Sequence, residues 1–127
     1  MRDLLRIADL SAEDFRHILA LSQRPDLGRL LDGQGVALVF QKPSARTRNS
    51  MEMAVRQLGG HPVTIHEDEV GLGSRESAED VARTLACYHA IIAARVFDHT
   101  FRTQQVMQRH DADRLVRIRH GFILQAH

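Results

Sequence analysis

The sequence has a single cysteine, Cys87, so the chain cannot close a disulfide within itself. It has almost no net charge, because 17 lysines and arginines are set against 16 aspartates and glutamates. With that balance no overall field pulls the chain onto nucleic acid or an acidic membrane surface, and any anion it binds must be held locally. Long apolar runs are missing too. Stretches such as Val36 to Phe40 and Ala90 to Ala94 fall far short of the roughly 20 residues a bilayer-spanning helix needs. No apolar stretch of a secretion signal opens the chain, so a cytoplasmic location away from membranes is the expectation. What is present is 43% hydrophobic content in 127 residues, enough to close one core and hardly two.

The first element is a helix. Ser11 precedes Glu13, Asp14, Phe15, Ile18 and Leu19, which is an N-cap, an acidic first turn and an apolar stripe at helical spacing. After Gly33 and Gly35, the continuous run Val36-Ala37-Leu38-Val39-Phe40 has the pattern of a strand covered on both faces. From Arg46 on, Met51, Ala54, Val55 and Leu58 recur at helical spacing until Gly59-Gly60 stops the helix. The unit then repeats. Pro62 to His66 reads as a short strand, Ser77 caps a helix marked by Ala78, Val81, Ala82 and Leu85, and Ala90 to Ala94 reads as another buried strand. Strands alternating with helices predict an α/β fold, a parallel sheet flanked by helices on both faces. Ligands on such sheets gather at the carboxyl ends of the strands, so function is to be sought just after Phe40, His66 and Ala94.

The loop after Phe40 carries the chemistry. Gln41-Lys42-Pro43-Ser44-Ala45-Arg46-Thr47-Arg48 runs straight into a helix N-terminus. Free backbone N–H groups and the positive end of the helix dipole favour an anion there. Ser44 and Thr47 can donate hydroxyl hydrogen bonds, and Arg46 can grip two oxygens at once. The plainer reading of the same residues is an ordinary capped helix with exposed arginines.

Phe40 through Arg48, FQKPSARTR, resembles the phosphate-binding signature of the aspartate and ornithine carbamoyltransferases, usually written Ser-Thr-Arg-Thr-Arg. Asn49 to Pro62 is similar to that family's following helix and Gly-Gly turn, and Arg75-Glu76-Ser77 with Glu79-Asp80 resembles the segment opening its next helix. Arg95 falls where the family places another carbamoyl phosphate arginine. The resemblance covers about residues 1 to 100, and it implies the carbamoyl-phosphate-binding domain of the carbamoyltransferase fold. Lys42 and the run Arg95-Val96-Phe97 look more like the ornithine enzymes than the aspartate enzymes. The resemblance further implies that Ser44, the backbone of Ala45, Arg46 and Thr47 hold the phosphate. It gives Arg95, with Thr47, the catalytic contact to the carbonyl oxygen, and leaves Arg48 in a supporting place. The implied reaction transfers a carbamoyl group to L-ornithine, giving L-citrulline and phosphate in arginine metabolism, with no cofactor and no metal, in a homotrimer. The alternatives are another amine acceptor, such as aspartate or putrescine, or a carbamoyl-phosphate- or anion-binding domain without turnover.

The sequence also departs from the family pattern. Ala45 stands where the family generally has Thr, which removes one hydroxyl but leaves the backbone N–H. In the loop Glu67 to Arg75, through which the family's trimer reaches a neighbouring subunit, Gly71 stands where a glutamine is sought. Beyond Thr100 neither the His-Pro-x-Gln segment nor the motifs of the amine-acceptor domain are found. Residues 101–127 are expected to be an unmatched tail that completes the same domain or a frayed end. Within that tail, Phe101, Gln104, Gln105 and Gln108 make a weak helical face, and Val116 to Arg119 alternates as a short strand does.

Other constellations carry less. Gly71-Leu72-Gly73-Ser74-Arg75-Glu76 opens like a dinucleotide loop but has Glu76 where the third glycine belongs. His61 and His66, five apart on a strand, point to opposite faces, and Glu67, Asp68 and Glu69 read as a solvated loop, which argues against a metal site. Cys87 is expected to be a buried, inert thiol. Arg109, Arg114, Arg117 and Arg119 make a basic patch without interleaved aromatics apart from Phe122, and a solvated end is expected there, with no nucleic-acid contact.

Overall fold

The computed structural model describes residues 4, 7–71, 76–96 and 120–123, the last of these by their backbone only. The expected helical face of Phe101 to Gln108, the strand of Val116 to Arg119, the basic tail and Leu72 to Arg75 lie outside the described residues. A short 3-10 turn, Ile7–Asp9, leads into helix α1, Ala12–Ser22. Strand β1, Gly35–Phe40, is followed by α2, Ala45–Gln57, and then by β2, His61–His66. A one-turn helix α3, Glu67–Val70, precedes α4, Ala78–Tyr88, and β3, Ile91–Arg95. Strand β4, His120–Ile123, completes the sheet. The four strands are all parallel, in the order β2-β1-β3-β4.

The apolar run of β1 explains this architecture. Its successive side chains must point to opposite faces, and both faces are covered. Val36, Leu38 and Phe40 join Ile91, Ala93, Leu31 and Val55 in one core, against which Met51 and Leu58 pack. Ala37 and Val39 join Ile65, Val81 and Leu85 in the other, with Val70, Ile92 and Ala94 beside them. Helix α2 therefore closes one face, and α3 and α4 the other. This is the α/β layering predicted from the alternation of strand and helix.

Two local readings need correction. Glu67, Asp68 and Glu69, read above as a solvated loop, form the turn of α3. The turn forms because Glu69 Oε1 accepts from the His66 backbone N–H at 3.1 Å and Gly71 closes it in the left-handed region, at φ 61. That conformation is open to glycine and costly for the glutamine sought at this position. Cys87 is exposed rather than buried. Val81 and Leu85 set the inward face of α4, and a residue two places beyond Leu85 turns outward. The stripe on α1 forms a helix as predicted but buries nothing: Phe15, Ile18 and Leu19 are 44%, 41% and 47% exposed.

At the amino end of the sheet, β1 opens on Gly35, where a side chain would press on the His89 ring. A Cβ there would lie 2.7 Å from His89 Nδ1. That nitrogen is buried and has no hydrogen-bond partner among the described residues. Burial holds the imidazole's pKa below its ordinary value, since desolvation penalises the charged form. The unfolded chain therefore binds the His89 proton more readily than the folded one, so stability is fully present above the ordinary histidine value and falls as pH drops through it. The expected result is a lower denaturation midpoint at pH about 5.5 than at about 7.5, with a smaller difference in His89→Gln. An equal difference in the two proteins would remove His89 from the account.

Candidate functional site

Three strands end together. Phe40 on β1 is in register with His66 on β2 and with Arg95 on β3. The loop leaving Phe40 is fastened to both neighbours at its first residue. The Gln41 backbone N–H donates to the Arg95 carbonyl at 3.1 Å, and its side-chain amide donates to Glu67 Oε1 at 3.4 Å. The sequence-predicted residues Ser44, Ala45, Arg46 and Thr47 thus lie four to seven places beyond the edge at which Arg95 also stands. Ser44, Thr47 and Arg95 are half-buried, and Ala45 and Arg46 are exposed.

The decisive local feature is how α2 begins. The other two long helices are capped by serine in the ordinary way. Ser11 Oγ accepts from the Asp14 N–H at 3.0 Å, and Ser77 Oγ accepts from the Asp80 N–H at 3.1 Å. Each cap satisfies one N–H that a helix start leaves over. Ser44 holds the same position on α2, with φ −151 and ψ 83, and its side chain makes no cap hydrogen bond. Among the described residues nothing takes up its hydroxyl or the first amides of α2, at the positive end of the dipole. No acidic residue occupies the first turn of α2, whereas α1 has Glu13 and Asp14 there and α4 has Glu79 and Asp80. Residues that would compete with an external anion are absent from this one turn.

The arginines divide the work. Arg46 has no ion pair or side-chain hydrogen bond among the described residues. Arg48 instead sits 4.0 Å from Glu52 Oε1. The carbonyls of the first turn are occupied from the helix side, with Asn49 Nδ2 donating to Ala45 O at 2.9 Å and Ser50 Oγ donating to Thr47 O at 3.0 Å. Among the described residues the edge therefore presents hydrogen-bond donors and one unpaired guanidinium, a set whose chemistry suits a tetrahedral anion. No group of three or more metal-ligating side chains occurs among the described residues.

Residues 2–117 match the family model described as aspartate/ornithine carbamoyltransferase, carbamoyl-P binding domain. The chain belongs to that family. It is 43% identical over 106 residues to an ornithine carbamoyltransferase of Hyperthermus butylicus, covering 77% of this chain and 34% of that one. Among solved structures it resembles the ornithine carbamoyltransferase of Thermus thermophilus, with a TM-score of 0.73 and 34% identity, over 96% of this chain and 41% of that one. It also resembles the catalytic subunit of M. jannaschii aspartate transcarbamoylase, with a TM-score of 0.71 and 26% identity, over 100% of this chain and 41% of that one. The chain spans about a third of the length of the curated relatives it matches. The match to the family runs past residue 100, where the motif resemblance in the sequence stops.

Two contacts in this carbamoyl-phosphate-binding fold were not read from the sequence. The Arg48–Glu52 pair had a signal, because residues four apart on a helix face one another. The bond from Thr64 Oγ1 to Glu52 Oε1, at 2.5 Å, joins residues 12 apart on different elements, and no local pattern announces it.

Proposed function

We propose that the carboxyl edge of this sheet binds carbamoyl phosphate and presents its carbonyl carbon to an amine, L-ornithine in the favoured reading, for conversion to L-citrulline and phosphate. The observation that carries the proposal is the uncapped start of α2, where Ser44 leaves its hydroxyl and the helix amides to an anion beside an unpaired Arg46. In this reading Ser44, the Ala45 backbone, Arg46 and Thr47 hold the phosphate. Arg95, level with Phe40 at the end of β3, reaches the carbonyl oxygen together with Thr47. Ornithine is favoured over aspartate by Lys42 and by Arg95-Val96-Phe97, and by the ornithine enzymes among the relatives. The pairing of β4 with β3 supports one domain that takes in the end of the chain.

The chemistry suits these residue types. Attack by a neutral amine builds negative charge on the carbonyl oxygen, and collapse of the intermediate expels phosphate. Fixed cations and donors at both places lower the barrier, and the loss of one such donor costs about 3 to 4 kcal/mol. The amine must be held as well, and the chain matches only about a third of its relatives' length. That proportion favours a second reading, in which this chain binds the anion without turning it over. Titrating the purified chain with carbamoyl phosphate, then adding ornithine, separates the two. Saturable heat without citrulline is the expected result. Citrulline formation would overturn the expectation that the isolated chain is inactive, and no saturable heat from the folded protein would overturn the binding site itself.

A further inference from the structure

Glu52 is a carboxylate near an anion site, and its place there calls for a reason. It lies on the second turn of α2, and its Oε1 accepts from Thr64 Oγ1 at 2.5 Å and faces Arg48 Nε at 4.0 Å. Thr64 is the register partner of Leu38, so it stands on the sheet face that α2 covers. The bond is part-buried, and a hydroxyl bound to a carboxylate in such a setting is among the stronger neutral-to-charged contacts. One carboxylate thus fixes the second turn of α2 to the middle of β2 and draws Arg48 back along the helix, while Arg46, two residues before Arg48, has no partner among the described residues.

We infer that Glu52 is a positioning residue for the anion site. It sets the height of the first turn of α2 against the sheet and keeps Arg48 out of the place that Arg46 and the amides of Ala45, Arg46 and Thr47 offer to phosphate. The inference rests on the phosphate reading above for its consequence, but its structural half stands apart from that reading. The sign of the effect identifies it. A carboxylate with no positioning role would simply repel a nearby anion, and removing its charge would tighten binding. A positioning role predicts the reverse.

The test uses the full chain and the variants Glu52→Gln, Thr64→Val and Thr64→Ser, with two readouts on each. These are titration with carbamoyl phosphate and with inorganic phosphate, and the amide NMR shifts of Ala45, Arg46 and Thr47 without ligand. Thermal unfolding confirms that each variant is folded. The expected result is weaker carbamoyl phosphate binding in Glu52→Gln by roughly tenfold, because the neutral amide accepts more weakly from Thr64 and no longer holds Arg48. A smaller loss is expected in Thr64→Val, with near-native behaviour in Thr64→Ser, and the three amides should shift in the first two variants. Unchanged or tighter binding in Glu52→Gln, or amides that do not move, overturns the inference. If the native chain binds neither anion while the amides shift, the placement by Glu52 is upheld and the phosphate reading is what fails.

Discussion

Replacing Arg46 with alanine is expected to abolish saturable binding of carbamoyl phosphate, with a loss on the order of a hundredfold or more in affinity. The size follows from what remains. Without Arg46, the anion would keep the amides at the start of α2 and the hydroxyls of Ser44 and Thr47, which are neutral donors worth about half as much apiece as a charged one. The one cation of the first turn that has no other partner among the described residues would be gone. Arg48→Ala should cost much less, because Arg48 is engaged with Glu52. Calorimetric titration of the three proteins, with inorganic phosphate as the control ligand, gives the comparison. Equal losses in the two variants would mean that a general positive field holds the anion, and an unaffected Arg46→Ala would mean that phosphate is held elsewhere.

This division between the arginines marks the limit of what the sequence made legible. The location of the site followed from simple rules: an unbroken apolar run must be a strand covered on both faces, and a loop leaving its carboxyl end opens toward ligand. Ser44 at the start of α2 was legible as an N-cap, but that it fails to cap was not. An acidic residue three places beyond Ser11 and Ser77, and none beyond Ser44, is visible in the sequence, but the backbone angles of Ser44 and its missing cap bond are not. Thr64 was read merely as part of a short strand, because its partner is fixed by how α2 lies on the sheet, which no local periodicity encodes. The turn of α3 was missed for a related reason. Three consecutive acids suggest solvent, yet Glu69 closes back on His66, and Gly71 ends the turn. On α1 the periodicity gave the helix and left open what its stripe lies against, since spacing reports a face and says nothing of what covers it.

The largest effect on stability is expected at Phe40, where fold and site meet. Its side chain is 2% exposed and among the largest fully buried ones, packed in the core between the sheet and α2. Phe40→Ala removes most of a ring and leaves a cavity that the surrounding close-packed strands can only partly collapse, at a cost of about 3 to 5 kcal/mol. Against the roughly 5 to 15 kcal/mol that holds a typical domain folded, that loss leaves little or nothing. Denaturant titration should show it as a lower midpoint, and Phe40→Leu, which keeps most of the apolar volume, should lose much less. The consequence for the site follows from position. Phe40 is the last residue of β1, level with His66 and Arg95, and Gln41 beyond it is bonded to the Arg95 carbonyl. If the edge is rigid, Phe40→Leu binds carbamoyl phosphate as the native chain does. A leucine variant that is stable but binds weakly would show instead that the ring itself sets the height at which the loop departs, making the last core residue of β1 part of the anion site's geometry.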